Sequence, residues 1–365
     1  MRRPFDSVAI RRILVIRDDR LGDALLAMPF LVALRRAFPR AEITVLASAA
    51  NAEVFERNEA VAEVRLSSGG WRDLWTVARS IRAGGAPDLV FDLYSWTELR
   101  PVLLAWLTGA SQRVGHDTHR RAFLHTIAVP LEAGIRYEPE RSLDLLRGLG
   151  IPVEGGEGGH IPFFPLRDLD RAQARRAYTG IAVDPRAGYV VLHPGSGDRY
   201  RSFRRVSAEV LGQVARGLSE RLGAVVLITG SRAEAGLADE VVRQAAVDSV
   251  RSVAARLTVG SLAALLADAR LVVVPDTGVL HLAIAVNAPT VAVLGPVGEV
   301  NGPPRILPPD GRVHVARLDL GCVPEQCNIQ RCRSVACLAG LDARLILGAC
   351  ERAAAAFQGQ RAAAT

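Results

Sequence analysis

Residues Leu271 to His281 read L-V-V-V-P-D-T-G-V-L-H. Four apolar residues run without polar alternation, the pattern of a strand covered on both faces. The strand ends at Pro275, Asp276-Thr277-Gly278 make the turn, and a helical pattern follows. A buried strand feeding a helix through a tight turn is the start of a βαβ unit, and such units build parallel sheets.

The same reading applies along the chain. R-I-L-V-I-R from Arg12, E-I-T-V-L-A-S from Glu42 and D-L-V-F-D-L-Y from Asp88 read as strands in the first half. Y-V-V-L-H-P from Tyr189, A-V-V-L-I-T-G from Ala224 and T-V-A-V-L-G-P from Thr290 do so in the second. Helical patterns cover Ala24 to Phe38, Val206 to Leu222 and Gly260 to Ala269, and an Ala-rich helix covers Asp342 to Phe357. Between Gly148 and Pro165 the chain is Gly- and Pro-rich and has no period, so it reads as a link. The expectation is an α/β protein with a first domain over 1–160, a second over 161–345, and a C-terminal helix and tail over 346–365.

Composition narrows the function classes. The 365 residues carry a net charge of +7, and all 45 basic residues are arginine. That balance suits an anionic partner, but the arginines are dispersed rather than blocked, so nucleic acid is not expected. The longest uncharged run, Thr277 to Gly298, is broken by turns and prolines and does not read as a spanning helix. The N-terminus lacks the apolar segment of a signal peptide. A cytosolic protein is expected. No G-x-G-x-x-G follows the first strand, which argues against a dinucleotide oxidoreductase.

Ligands of such sheets bind beyond the carboxyl ends of the strands, so the strand-to-helix turns are the candidate sites. At Asp276, Thr277 and Gly278 the free N–H groups of a helix start favour phosphate, and His281 lies one helical step on. The alternative is a plain Asp/Thr cap. In H-P-G-S-G-D-R-Y-R-S-F, Gly195 and Ser196 can cradle a phosphate that Arg201 neutralises, or the segment is a surface loop. Glu234 in I-T-G-S-R-A-E can accept from ribose hydroxyls, or it is a solvated helix-start carboxylate. In D-R-L-G-D-A-L-L-A-M-P from Asp19, Asp23 is either a helix-start acid, worth about 0.3–1 kcal/mol, or a general base.

Two further groups stand out. Q-R-V-G-H-D-T-H-R-R-A-F, from Gln112, gathers Arg113, Arg120 and Arg121 with two histidines; it reads as a contact for an anionic acceptor or as a solvated basic loop. Cys322, Cys327, Cys332 and Cys337 follow one another with four residues between. They read as reduced structural thiols or as a metal or redox site.

Together these segments carry a resemblance. I-R-D-D-R-L-G-D-A-L-L-A-M-P-F-L-V-A-L-R-R-A-F-P-R-A-E-I-T-V-L-A-S from Ile16, H-P-G-S from His193 and D-T-G-V-L-H-L-A-I-A-V-N-A-P-T-V-A-V-L-G-P from Asp276 resemble glycosyltransferase family 9, the ADP-heptose:lipopolysaccharide heptosyltransferases. The resemblance runs from about Arg12 to Leu338. It implies a GT-B fold, two Rossmann-like domains with parallel sheets facing a cleft, the first for the acceptor and the second for the nucleotide sugar. It implies an inverting transfer without metal or other cofactor. The general base falls on Asp23. The donor residues fall on Gly195, Ser196, Arg201, Glu234, Asp276, Thr277, Gly278 and His281. The family's Lys-x-Trp is Arg201-Ser202-Phe203 here. The expected reaction moves heptose from ADP-heptose to an anionic glycan or glycolipid such as lipopolysaccharide core, with peripheral contact at the cytosolic face of the inner membrane. Another nucleotide sugar, a protein or small-molecule acceptor, or a non-catalytic nucleotide-sugar-binding protein are the alternatives.

Overall fold

The computed structural model describes residues 10–94, 98–118, 122–131, 137–154, 160–183, 188–195, 206–295, 313–318, 320–321 and 336–363. The chain divides into two compact units, Met1–Phe163 and Phe164–Thr365.

The first unit is a sheet of six strands: β1 (Arg12–Ile16), β2 (Glu42–Ala47), β3 (Glu63–Leu66), β4 (Leu89–Asp92), β5 (Gln112–Asp117) and β6 (Ile127–Pro130). Their order is β3-β2-β1-β4-β5-β6 and every pairing is parallel. The helices are α1 (Leu21–Leu26), α2 (Met28–Ala37), α3 (Ala52–Phe55), α4 (Leu74–Ala83), α5 (Leu99–Leu107) and α6 (Glu138–Arg147). The second unit repeats the plan with β7 (Tyr189–Leu192), β8 (Val225–Ile228), β9 (Val250–Ser252), β10 (Leu271–Pro275), β11 (Thr290–Val293) and β12 (Val313–Ala316), in the order β12-β11-β10-β7-β8-β9. Its helices are α7 (Asp168–Ala177), α8 (Ala208–Leu222), α9 (Ala235–Ala245), α10 (Val259–Ala267) and α11 (Gly278–Ala285). The C-terminal helix Ala343–Ala363 packs on α8 and on β12, within this unit. Each unit is Rossmann-like, and the pair is that of the GT-B architecture.

Every residue of β4, β7, β10 and β11 is buried, as expected of strands covered by helices on both sides. The edge strands β3, β6, β9 and β12 are short and only partly buried, because one flank of each lacks a neighbouring strand. Two local expectations change. The helix expected over Ala24 to Phe38 starts at Leu21 and is interrupted at Ala27, where α2 begins with Pro29 in its first turn. Proline has no N–H and its ring opposes a continuous ladder, so it serves as the start of a second helix. The basic segment from Gln112 is not a loop at its start: residues 112–117 form β5, and His116 is buried.

Two glycines inside α8 have a packing reason. A Cβ on Gly212 would stand 2.5 Å from the Gln244 Cβ and 2.8 Å from the Gln244 carbonyl carbon, so α9 crosses α8 at backbone contact. A Cβ on Gly217 would meet Leu347 of the C-terminal helix at 2.7 Å. The Ser207 hydroxyl accepts from the Val210 N–H at the start of α8, and Gly223 ends it with φ of 60°. The substitution Gly212→Ala forces α9 away and is expected to lower stability by about 1–3 kcal/mol, measured by denaturant unfolding followed by circular dichroism.

Candidate functional site

In each sheet the strand order reverses beside the first strand of its unit, β1 or β7, and a crevice for ligand opens at such a reversal. The turn after β1 carries Asp23. The turns after β7, β8 and β10, three adjacent strands, carry Gly195, Glu234 and the Asp276–His281 segment.

Arg17 leaves β1 with no exposed surface. Its Nη1 donates to the Leu93 carbonyl at 2.7 Å, its Nε to the Asp23 carbonyl at 3.2 Å and its Nη2 to Glu138 Oε1 at 3.3 Å. The carboxylates of Asp19 and Asp23 each stand 3.6 Å from the guanidinium. Burial alone would lower the Arg17 pKa; the charges of Asp19, Asp23 and Glu138 outweigh it and the net shift is upward. The cation is therefore fixed in a dry place, where an uncompensated charge would be strongly destabilising.

The rest of this turn is pinned from several sides. Asn51 Nδ2 donates to the Arg17 carbonyl at 3.0 Å, and Ser48 Oγ to the Asp19 carbonyl at 3.1 Å. Asp18 is buried and accepts from Arg100 Nη1 at 2.6 Å and from the Tyr94 hydroxyl at 3.0 Å. Burial, then the charges of Asp19 and Asp18, push the Tyr94 phenol pKa up, so the hydroxyl stays a donor. Arg100 also donates to Ser67 Oγ at 2.6 Å and to Asp73 Oδ1 at 3.3 Å.

Two carboxylates in this turn differ in kind. Neither oxygen of Asp19 makes a hydrogen bond among the described residues. Burial first, then the charges of Asp23 and Asp18, hold its pKa well above the usual carboxylate range, against the pull of Arg17. Asp23 keeps 20% of its side chain exposed, in the first turn of α1, with Arg17 against both its carbonyl and its carboxylate. It is a positioned, solvent-reachable carboxylate, which is what a general base requires.

In the second unit, His193 follows β7 and is buried, with Nδ1 3.1 Å from Thr229 Oγ1. Burial lowers its pKa, opposed by the charge of Glu234. A Cβ on Gly195 would stand 2.1 Å from Glu234 Oε1, so any larger residue there would have to push that carboxylate aside. Glu234 Oε2 accepts from the Ser231 N–H at 2.8 Å, closing the short turn Arg232–Glu234. Thr277 is the residue before α11 and is extended, but its side chain makes no cap hydrogen bond. Its Oγ1 is buried and without a hydrogen bond among the described residues. His281 is buried one turn further on. The plain-cap reading of Thr277 therefore does not hold, and the turn presents a hydroxyl and a helix start together.

Arg113 is otherwise engaged: its Nε donates to the Leu124 carbonyl at 2.9 Å and its Nη1 to the Ala110 carbonyl at 2.7 Å, which ties the β5–β6 connection. Ser196, Arg201, Arg120, Arg121, Cys322, Cys327 and Cys332 lie outside the described residues; Cys337 is half-buried. Among the described residues no group of three His, Cys, Asp or Glu side chains could hold a metal. Sequence reasoning passed over Arg17, Asp18, Asp19 and Glu138. The signal for the first three was four charged residues in a row, R-D-D-R, directly after a buried strand. Glu138 had none, being 121 positions from its partner.

Comparison with known proteins gives one consistent result. The family model "Glycosyltransferase family 9 (heptosyltransferase)" matches residues 75–332. Lipopolysaccharide heptosyltransferase 1 of Pseudomonas aeruginosa is 28% identical over 308 residues, 78% of this chain and 79% of that protein. The crystal structure of a family 9 glycosyl transferase from Veillonella parvula superposes with a TM-score of 0.75 at 23% identity, covering 94% of this chain and 97% of that one. Escherichia coli ADP-heptose lipopolysaccharide heptosyltransferase II superposes with a TM-score of 0.70 at 20% identity, covering 92% and 99%.

The Asp19 carboxyl gives this site a pH signature. Its pKa is raised on folding, so the folded state holds a proton that the unfolded state gives up near pH 4, where an ordinary aspartate titrates, roughly. Stability is therefore lost as pH rises from there through the raised folded value. The substitution Asp19→Asn keeps the shape without the titration. It is expected to raise Tm at neutral pH, with the gain shrinking toward about pH 4, as calorimetry across that range would register.

Proposed function

The chain belongs to glycosyltransferase family 9, and on that premise we propose that it moves heptose from ADP-heptose to an anionic glycan such as lipopolysaccharide core, with Asp23 as general base. Family membership makes the protein a glycosyltransferase; the donor, the base and the inverting course are inferred. The observation that carries the reading is the partly exposed Asp23 carboxylate held by a wholly buried arginine.

The chemistry follows from that hold. The acceptor O–H gives its proton to the Asp23 carboxylate as the oxygen attacks the anomeric carbon of the donor. The bond from that carbon to the diphosphate oxygen breaks, the nucleoside diphosphate leaves with the electron pair, and the sugar centre inverts. Negative charge grows on the leaving group, and preorganised donors are the means of stabilising it. The start of α11, the Thr277 hydroxyl and His281 are the groups inferred to meet the diphosphate, with Arg201 and Ser196, which follow β7 in the sequence, as further donors. Glu234 is the inferred contact for the nucleoside sugar hydroxyls. The nucleotide sugar is a substrate in this reading, and no metal takes part. An acceptor borne on a lipid would bring the work to the cytosolic face of the inner membrane.

Thermal unfolding with ADP, GDP and UDP tests the donor. A nucleotide at a hundred times its Kd stabilises by about 2.7 kcal/mol, and ADP alone is expected to raise Tm. A shift with UDP or GDP instead would discard heptose while keeping the transferase. The substitution Asp23→Asn is expected to retain the ADP-dependent shift and to lower turnover by about 10²–10⁴-fold; unchanged turnover would remove Asp23 as the base.

A further inference from the structure

Three of the four tryptophans are placed where tryptophan is seldom left. Trp71, Trp75 and Trp106 are 58%, 69% and 52% exposed, all in the first unit. Trp75 lies on α4 and Trp106 on α5, helices that pack side by side on one face of the first sheet. Leu74, Ala78 and Ile81 of α4 turn inward to the core. Trp75, Arg79 and Arg82, at the same helical spacing, turn outward and are exposed. On α5, exposed Leu99, half-buried Leu103 and exposed Trp106 form the matching outer row. Arg82 closes the pair, its Nε 3.6 Å from where a Cβ on Gly109 would stand, just past the end of α5.

The charges on this face have one sign. Neither α4 nor α5 contains an aspartate or glutamate. Among the described residues Arg72, Arg79 and Arg82 make no ion pair. Of the acids beside these helices, Asp73 is committed to Arg100 and Ser68, and Glu98 stands at the start of α5.

We infer that the outer face of α4 and α5, with Trp71 before it, docks on an anionic lipid surface. Tryptophan favours the headgroup layer because its ring is apolar and its N–H needs a wet partner. Unpaired arginines are drawn to anionic headgroups, and their stems cover apolar surface as they reach. A contiguous apolar patch rimmed by cations marks an interaction site rather than ordinary surface. The complementarity selects a lipid surface over a second copy of the chain, because two such faces would oppose cation to cation. The inference rests on the proposed lipid-borne acceptor only for its purpose; the surface itself is independent of which sugar is moved.

The test is flotation of the full chain with vesicles of phosphatidylethanolamine and phosphatidylglycerol, and with vesicles of phosphatidylcholine alone. Binding to the anionic vesicles is expected, weakening as salt rises, with a blue shift of tryptophan emission. The exposed-residue variants W75S/W106S and R79E/R82E are expected to lose about tenfold or more in partition, while transfer to a deacylated, soluble acceptor stays as in the unsubstituted protein. Equal flotation of the variants, equal binding to both vesicle types, or concentration-dependent self-association abolished by the same substitutions would each overturn the inference. Absence of transfer to the soluble acceptor in the unsubstituted protein would count against the proposed reaction and leave the flotation result standing.

Discussion

The first unit depends on one buried cation. Arg17 has no access to water, so each of its donors must be answered by the fold, and the answers come from three separate segments: Leu93 after β4, Asp23 in α1 and Glu138 in α6. Satisfying one side chain thereby fixes the turn after β1 in place. The neighbouring Asp18 extends the hold through Arg100 and Tyr94 to the segment before α4. Such a network is stabilising only when every member is matched. Here Asp19 faces Arg17 at 3.6 Å but accepts no hydrogen bond among the described residues, and its burial raises its pKa because removal from water disfavours the charged form.

The second unit solves a related problem with backbone rather than charge. Gly195 lets the Glu234 carboxylate come within contact of the turn after β7, while the other carboxylate oxygen is spent on Ser231. One group thus serves both as the end of a local turn and as the wall of the next one. Thr277 does the reverse, leaving its hydroxyl out of the local structure. Both arrangements sit at the carboxyl edge of β10, β7 and β8, three strands that pair directly.

What was legible in the sequence was what is local. The inner strands β1, β2, β4, β7, β8, β10 and β11 declared themselves because burial on both faces leaves a continuous apolar run. The edge strands did not, since V-R-S at β9 and E-V-R-L at β3 carry polar residues toward solvent. Q-R-V-G-H-D was hidden for a different reason: its arginine and histidine suggested a solvated loop, yet Arg113 is engaged by backbone carbonyls and His116 is buried in β5. Of the candidate residues, Asp23 in the first unit and Gly195, Glu234 and Thr277 in the second were visible because strand, turn and helix are consecutive in each. Arg17 with Glu138 was not, because the pairing is made only by the tertiary fold.

The placement of the tryptophans has a spectroscopic consequence. Trp71, Trp75, Trp96 and Trp106 all belong to the first unit, and the second has none. The second unit nonetheless has its own large apolar core, running from Val190 to Ala353. Intrinsic indole emission is therefore a reporter for half of the molecule: it follows the first unit and is blind to the melting of the second, whose aromatic chromophores are tyrosines and phenylalanines, among them the tilted pair Tyr178 and Tyr189. Any departure between an emission melt and a calorimetric one would measure how far the two halves come apart independently.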